Sequence, residues 1–248
     1  MNKLLNTLLA MFVACATNLA HAQAPAAPAP AASPAAAAAP AAPAAAKPAQ
    51  APASPKSLEA KTAMCFGCHG IVGYQTSFPE VYKVPKIAGQ NAAYIAAALK
   101  AYQTGDRKHP TMRAIATTLS EQDINDIAAY YEKAGQQDMK PVADKLSREP
   151  DAQVAALMQK AACVSCHGAN LSKPIAPNYP KIAGQHADYL FVALKSYKTE
   201  NNPAVGRNNG VMGAIAKQFS NDELKALAKF VGSLDSELET KTESRFHH

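Results

Sequence analysis

The sequences CFGCH at residues 65–69 and CVSCH at residues 163–167 decide the fold of this chain. Each is a C-x-x-C-H motif, the attachment signature of a c-type haem. Two thiols one helical turn apart can add to the vinyl groups of one porphyrin, and the histidine that follows lies under the iron. A thioredoxin-like pair or half a zinc site needs no such histidine, and neither explains two copies. The sequence therefore predicts two covalently bound haem c groups. They would be held by the residues Cys65, Cys68, His69, Cys163, Cys166 and His167.

The composition of the 248 residues excludes several other classes of protein. Five cysteines are present, and Cys15 is the one outside the motifs, so no disulfide framework remains to be proposed. The formal net charge is +6, but no Lys/Arg cluster or basic-aromatic stripe is present. We therefore predict no nucleic-acid binding, and a mild preference for acidic partners is the most that the charge supports.

The N-terminal segment has the features of an export signal followed by a linker. Residues 1–22 combine Lys3, an apolar run and an Ala-His-Ala cleavage site, which is typical of a secretory signal peptide. Export agrees with the haem motifs, because covalent haem attachment takes place outside the cytoplasm. Two alternatives stay open: the leader is retained as a membrane tether, or Cys15 is lipidated. Residues 23–55 are almost wholly Ala and Pro, which predicts a disordered, semi-rigid spacer.

The rest of the chain consists of two copies of one sequence repeat. The identical string PKIAGQ occurs at residues 85–90 and 180–185, and a similar helical pattern follows each copy. Capping boxes at residues 120–123 and 220–223 then begin a closing helix with one apolar face in each unit. No convincing strand of period two is present. We predict an all-α fold of two tandem domains related by internal duplication.

Composition and spacing set the predicted domain boundaries. We assign an N-terminal domain, an interdomain connection, a C-terminal domain and a polar tail to residues 56–140, 141–150, 151–236 and 237–248. Helices are expected at residues 58–64 and 152–162, directly before the haem motifs. Each domain is small, so we expect its haem to form part of its core.

The sixth coordination position of each iron is predicted to be filled by a methionine. Met112 and Met212 occupy equivalent places in the two units, each just before a short helical pattern. Thioether ligands there would give closed, low-spin iron sites of raised reduction potential. His109 and His186 are the alternatives, but neither has a histidine at the matching position of the other copy.

Other repeated residues are candidates for supporting the haems. The carbonyls of Pro85 and Pro180 could accept hydrogen bonds from the proximal histidines and fix their orientation. Arg107 and Arg207 precede their methionines at the same spacing, where a guanidinium could clamp a haem propionate. A tyrosine hydroxyl that reaches a propionate is a weaker alternative to plain core packing. Core packing is the expected role of the remaining side chains, Tyr94, Tyr102, Tyr189, Tyr197, Met64 and Met158.

On these residues the pattern resembles a known family. Each unit is similar to a class I cytochrome c domain, and the pair is similar to the di-haem cytochrome c4 family. The resemblance covers residues 56–235 and rests on both haem motifs, both PKIAGQ strings, and the segments RKHPTM and RNNGVM that end at Met112 and Met212. It implies His/Met ligation and two domains packed about a pseudo-two-fold axis, with the propionates near the interface. The loop before Met212 is longer than that before Met112, and the Ala/Pro linker lies outside the family pattern.

The resemblance implies an electron carrier and not an enzyme. We expect a periplasmic protein, soluble or loosely tethered to the inner membrane, in a respiratory chain. Its donor would be a complex that oxidises quinol, and its acceptor a haem–copper terminal oxidase. Such partners dock through small, transient interfaces. Two alternatives are a di-haem subunit of a dehydrogenase complex, of the flavocytochrome type in sulfur metabolism, and a di-haem peroxidase, which needs an open sixth position.

Overall fold

The computed structural model describes residues 57–135 and 141–242. Both ranges belong to the same structural unit, and we call them the first half and the second half. The predicted signal peptide and Ala/Pro linker lie outside the described residues, as do residues 136–140 and the last six residues of the predicted tail. Within the two described ranges, no helix has the length and apolar character needed to cross a membrane.

The first half begins with a helix that contains its haem motif. The elements in order are α1 (Leu58–His69), β1 (Gln75–Thr76), β2 (Tyr82–Lys83), α2 (Ala92–Thr104), β3 (Arg107–Lys108), α3 (Pro110–Ala116) and α4 (Glu121–Ala134). The Ser57 side chain caps α1 by accepting from the backbone N–H of Ala60. Helix α1 continues through the haem motif to His69, whereas the sequence predicted that it would end at residue 64. Ser120 and Asp123 form the predicted capping box of α4.

The second half repeats this order with a break before its haem motif. Its elements are α5 (Ala152–Ala161), α6 (Val164–His167), α7 (Ala187–Ser196), β4 (Gly206–Arg207), α8 (Gly210–Ala216) and α9 (Asn221–Gly232). Asp151 caps α5, which ends one residue before the predicted boundary because Ala162 adopts a left-handed conformation with φ of 49°. The haem motif then starts a separate short helix, α6.

Equivalent helices pack together in the two halves. Helix α4 packs against α1 and α2, and helix α9 packs against α5 and α7. The buried cores contain the apolar faces that the sequence predicted, Ile124, Ile127 and Tyr131 on α4 and Leu224, Leu227 and Val231 on α9. The prediction of an all-α fold with two repeated units is confirmed by the order of these elements. Two short antiparallel pairs, β1–β2 and β3–β4, were not predicted, because two-residue strands are too short to show alternation.

The halves meet through reciprocal contacts. Strand β3 pairs with β4 so that Arg107 lies opposite Arg207. Equivalent residues exchange equivalent contacts, which gives the interface local pseudo-two-fold symmetry. The start of the predicted polar tail also joins the interface. The N–H of Glu239 donates to the carbonyl of Ala88 at 3.1 Å, and Leu238 is buried.

Gly89, in the first PKIAGQ string, cannot accept a side chain without moving this returning segment. Its φ is +81°, and a Cβ atom there would lie 2.0 Å from the carbonyl oxygen of Glu237. Gly105 also has a positive φ, of +86°, but a Cβ atom there meets nothing within 4 Å. A substitution at Gly105 would therefore cause backbone strain alone, whereas one at Gly89 would cause backbone strain and a clash with Glu237.

We expect Gly89→Ala to lower the free energy of unfolding more than Gly105→Ala does. Left-handed backbone costs a non-glycine residue about 1–2 kcal/mol at either position, and only Gly89 adds the clash. Denaturant unfolding of the two holoprotein variants measures the difference. Equal losses would show that the segment at Glu237 gives way without cost.

Candidate functional site

The four cysteines of the motifs line one cavity of about 770 Å³ to which both halves contribute. Cys65 and Cys68 lie one turn apart on α1 and therefore on one face of that helix. Cys163 is the N-cap residue of α6, and Cys166 lies within that helix. None of these four forms a disulfide, so all four thiols are available for thioether bonds. Burial raises the pKa of the Cys65 and Cys163 thiols.

Each motif histidine is held by the carbonyl of the proline that begins the PKIAGQ string. His69 Nδ1 lies 2.8 Å from the Pro85 oxygen, and His167 Nδ1 lies 2.8 Å from the Pro180 oxygen. A carbonyl only accepts, so Nδ1 carries the proton and Nε2 keeps a free lone pair. Burial lowers the pKa of both imidazoles, which favours the neutral form that binds a metal.

Met112 and Met212 each occupy the third residue of a short helix, α3 and α8, and both line the cavity. The Met112 N–H donates to His109 Nδ1 at 3.3 Å, and the Met212 N–H donates to Asn209 Oδ1 at 2.9 Å. The longer loop of the second half therefore leaves Met212 at the same helical position as Met112.

His109 and Asn209 are a matched pair that the sequence comparison missed. His109 has no histidine at the matching position of the second half, but His109 and Asn209 each cap the helix that carries the methionine. The available signal was a residue with a side-chain acceptor three positions before each methionine, the spacing of a helix N-cap. His186 similarly precedes α7, and its backbone N–H donates to Gln185 Oε1 at 3.0 Å.

Arg107 and Arg207 lie in the cavity wall where the two halves meet. Arg107 Nη2 donates to the Tyr94 hydroxyl at 2.8 Å, and Arg207 Nη2 donates to the Tyr189 hydroxyl at 3.0 Å. Each guanidinium also lies within 6 Å of two tyrosine ring centres; the rings are Tyr94, Tyr102, Tyr189 and Tyr197. These tyrosines therefore do more than the core packing predicted for them, because two of them bind the guanidiniums.

The guanidiniums of Arg107 and Arg207 lie close together at the interface of the two halves. Among the described residues, neither Arg107 nor Arg207 forms an ion pair with a carboxylate. Two neighbouring cations in a cavity wall are unfavourable unless an anion compensates them. Haem propionates are such anions, and the thiols, imidazoles and thioethers of the same cavity are the donors that a c-type haem requires. The residues present therefore fit two haem c groups.

Met64 and Met158, the other two methionines among the residues that the structure describes, differ from each other. Met158 is 8% exposed on α5, so the core prediction for it is confirmed. Met64 is 54% exposed on α1, so the same prediction for it is wrong. On α1 only one stripe faces the core, and Thr62 and Phe66 occupy it.

Comparisons with known proteins agree with this site. The Cytochrome c family model matches residues 56–134 and 152–235, and each matched segment contains one haem motif. Cytochrome c4 of Pseudomonas aeruginosa is 29% identical over 180 residues, which cover 71% of this chain and 86% of that protein. A thiosulfate dehydrogenase electron acceptor of Stutzerimonas stutzeri is 28% identical over 180 residues, 68% of this chain and 78% of that one.

A solved structure extends the comparison to the fold. Cytochrome c4 of Acidithiobacillus ferrooxidans superposes with a TM-score of 0.51 at 28% sequence identity. The superposition covers 70% of this chain and 99% of that chain. Both halves of the present fold are therefore contained in the similarity.

Proposed function

The chain belongs to the cytochrome c family as a di-haem electron-transfer protein similar to cytochrome c4, and from this premise we propose a periplasmic carrier in a respiratory chain. Its donor is a complex that oxidises quinol, and its acceptor is a haem–copper terminal oxidase. Two covalently bound haem c groups supply one-electron ferric–ferrous couples. The protein itself keeps the coordination sphere of each iron closed, so that an electron transfers with little change in geometry.

The repeated placement of one histidine and one methionine in each half is the observation that supports a carrier best. Each half offers a histidine with Nδ1 held by a carbonyl and a methionine at the start of a capped helix, and both line the shared cavity. Two protein ligands on an iron leave no coordination position for a substrate. This supports electron transfer over catalysis at both haems.

We assign roles to the site residues accordingly. The thioether bonds come from Cys65, Cys68, Cys163 and Cys166, and the iron ligands are His69, His167, Met112 and Met212. The Pro85 and Pro180 carbonyls orient the two imidazoles. Arg107 and Arg207 bind the propionates. The hydroxyls of Tyr94 and Tyr189, which accept hydrogen bonds from these guanidiniums, assist them.

The proposed compartment depends on residues 1–22. Cleavage after the Ala-His-Ala site would release a periplasmic protein with the Ala/Pro segment at its N-terminus. Retention of the leader would tether the haem domains to the inner membrane. The mass of the mature N-terminal peptide, measured on protein released by osmotic shock and on the membrane fraction, distinguishes the two.

A turnover assay tests the proposed acceptor. Reduced holoprotein is added to oxygenated membranes that contain a haem–copper oxidase, and its reoxidation is followed optically. We expect fast, cyanide-sensitive oxidation whose rate falls as ionic strength rises, because transient redox complexes are steered by charge. Reoxidation no faster than in boiled membranes would contradict a terminal oxidase as acceptor.

The second candidate function is electron acceptor of a dehydrogenase. The observation that favours it is the similarity to the thiosulfate dehydrogenase electron acceptor of Stutzerimonas stutzeri. A permanent partner would remain bound during gentle purification and would reduce both haems when its substrate is added. A di-haem peroxidase would require a ferric iron that binds cyanide rapidly, and the paired methionines argue against it.

We expect Arg107→Leu to lower the reduction potential of at least one haem. A cation near the haem disfavours the ferric state, which carries one more positive charge than the ferrous state. A unit charge about 10 Å away at an effective dielectric constant of about 20 contributes roughly 1.7 kcal/mol, or about 70 mV at 2.3 kcal/mol per 100 mV. A redox titration measures the shift. The matched control is Arg113→Leu, since Arg113 is exposed on α3. Equal shifts in both variants would contradict the propionate assignment.

A further inference from the structure

One peptide group joins each motif histidine to the opposite half of the molecule. The carbonyl of the Pro85–Lys86 peptide lies 2.8 Å from His69 Nδ1. The N–H of the same peptide donates to the side-chain oxygen of Gln185, in the second half, at 3.0 Å. The chain of hydrogen bonds therefore runs from an imidazole, through one peptide plane, to a glutamine of the other half.

The arrangement is repeated in the opposite direction. The carbonyl of the Pro180–Lys181 peptide lies 2.8 Å from His167 Nδ1, and its N–H donates to Gln90 Oε1 at 3.0 Å. Each glutamine closes a second bond to the same lysine, because Gln90 Nε2 donates to the Lys181 oxygen at 2.9 Å and Gln185 Nε2 donates to the Lys86 oxygen at 2.8 Å. We call these two reciprocal units the glutamine clasp.

Both glutamine side chains of the clasp are buried, and hydrogen bonds fix the orientation of their amide groups. Gln90 is 4% exposed and Gln185 is 5% exposed. Each side-chain oxygen also accepts from the backbone N–H of the next residue, Asn91 or His186, at 3.0 Å. The amide orientation is therefore set by three hydrogen bonds. A buried polar group that is this completely bonded favours one geometry.

We propose that Gln90 and Gln185 are positioning residues that tune the haem of the opposite half through the peptide bonded to its axial histidine. The proposal rests on the proposed function, because it requires His69 and His167 to be iron ligands. It assigns the last residue of each PKIAGQ string a role that neither the haem motif nor the methionine ligand provides.

The physical basis is polarisation along the hydrogen-bond chain. When Gln185 accepts from the Lys86 N–H, the oxygen of the same peptide becomes more negative, and bonds in such chains strengthen one another by about 10–30%. The oxygen then accepts more strongly from His69 Nδ1, which makes the imidazole a better electron donor to its iron. Better donation stabilises the ferric state. Loss of Gln185 should therefore raise the potential of the first-half haem, and loss of Gln90 should raise that of the second-half haem.

The test replaces each glutamine with methionine, which has a similar length and no amide. Gln185→Met and Gln90→Met holoproteins are compared with Gln122→Met, in which an exposed glutamine on α4 is replaced. A redox titration followed by NMR resolves the ferric signals of the two haems and assigns each potential. We expect a crossed effect of at least threefold in the one-electron equilibrium constant, about 28 mV at 59 mV per tenfold.

The outcomes separate the clasp from the rest of the account. A shift confined to the haem of the half that carries the substitution, an equal shift of both haems, or no shift beyond the Gln122→Met control would overturn the proposal. If the wild-type ferric protein lacks histidine-ligated low-spin irons, the proposed function fails first. If ligation is intact and the crossed effect is absent, the clasp alone fails.

A second measurement begins with the wild-type protein, so its first result does not depend on how well a variant folds. In the wild-type ferrous holoprotein, the backbone amides of Lys86 and Lys181 should exchange with solvent as slowly as the core amides of α4. In Gln185→Asn, whose shorter side chain cannot make both bonds, the Lys86 amide should exchange at least tenfold faster while Lys181 is unchanged. Fast exchange of these amides in the wild type would overturn the proposal.

Discussion

Met112→Ala is expected to remove the near-infrared methionine–iron band of the first-half haem. The reduction potential of that haem should fall by on the order of 0.1 V or more, within the roughly 0.8 V that axial ligands span. The thioether stabilises ferrous iron, and alanine leaves a position that water can occupy. The ferric iron should therefore gain high-spin character and bind cyanide quickly. Optical and redox titrations of the purified variant measure all three changes.

Two matched variants define what the Met112 result means. Met64→Ala removes a methionine that is 54% exposed and also lines the cavity, but it lies beside Cys65 on α1 and not on the helix of Met112, so we expect the methionine–iron band to be retained. Met212→Ala should produce the same loss at the second-half haem and leave the first haem intact. If the wild-type first-half haem lacked this band, Met112→Ala left its potential unchanged and His109→Ala produced a high-spin iron, the histidine capping α3 would be the ligand instead.

The double variant Cys163→Ala, Cys166→Ala is expected to lose one covalent haem and the folded packing of the second half. Each haem forms part of the core of a small domain, so its absence removes the packing partner of the apolar side chains of α7 and α9 that line the cavity, among them Leu190, Leu227 and Val231. Mass spectrometry should show a loss of one haem, and calorimetry should show a much weaker transition for this half. The interface contacts will transmit part of the loss to the first half.

The single variant Cys163→Ala serves as the control for that prediction. One remaining thiol can still form one thioether, so the haem should stay bound and the fold should be retained with a modest loss of stability. A double variant that keeps both haems in denaturing mass spectrometry would show that this motif is not the attachment site.

The local features of the fold could be predicted from the sequence because short patterns determine them. The haem motifs, the capping boxes at Ser120 and Ser220, and the repeated helical faces all depend on residues within a few positions of each other. The duplication also supported the prediction of equivalent sites, since Met112 and Met212 recur in register. The two haem c groups and the family follow from those same segments.

The contacts between the halves could not be predicted in the same way. Residues far apart in the chain bond across the interface: Gln90 binds the backbone at Lys181, and Arg107 pairs with Arg207 through strands of two residues. No periodicity marks such pairs. The identical PKIAGQ strings were visible as a repeat, but only the fold brings the glutamine of one copy to the lysine of the other. The shared role of His109 and Asn209 could not be predicted either, because a comparison of residue types does not show that both cap a helix.

The central claim is that both irons have one histidine and one methionine ligand and therefore act as closed electron-transfer centres. The most direct test is the near-infrared and electron paramagnetic resonance spectrum of the fully oxidised wild-type holoprotein, calibrated to haem content. We predict two low-spin ferric centres and a methionine–iron band whose intensity corresponds to both haems. Half of that intensity, or a high-spin signal that cyanide abolishes rapidly, would show an open iron and contradict the account.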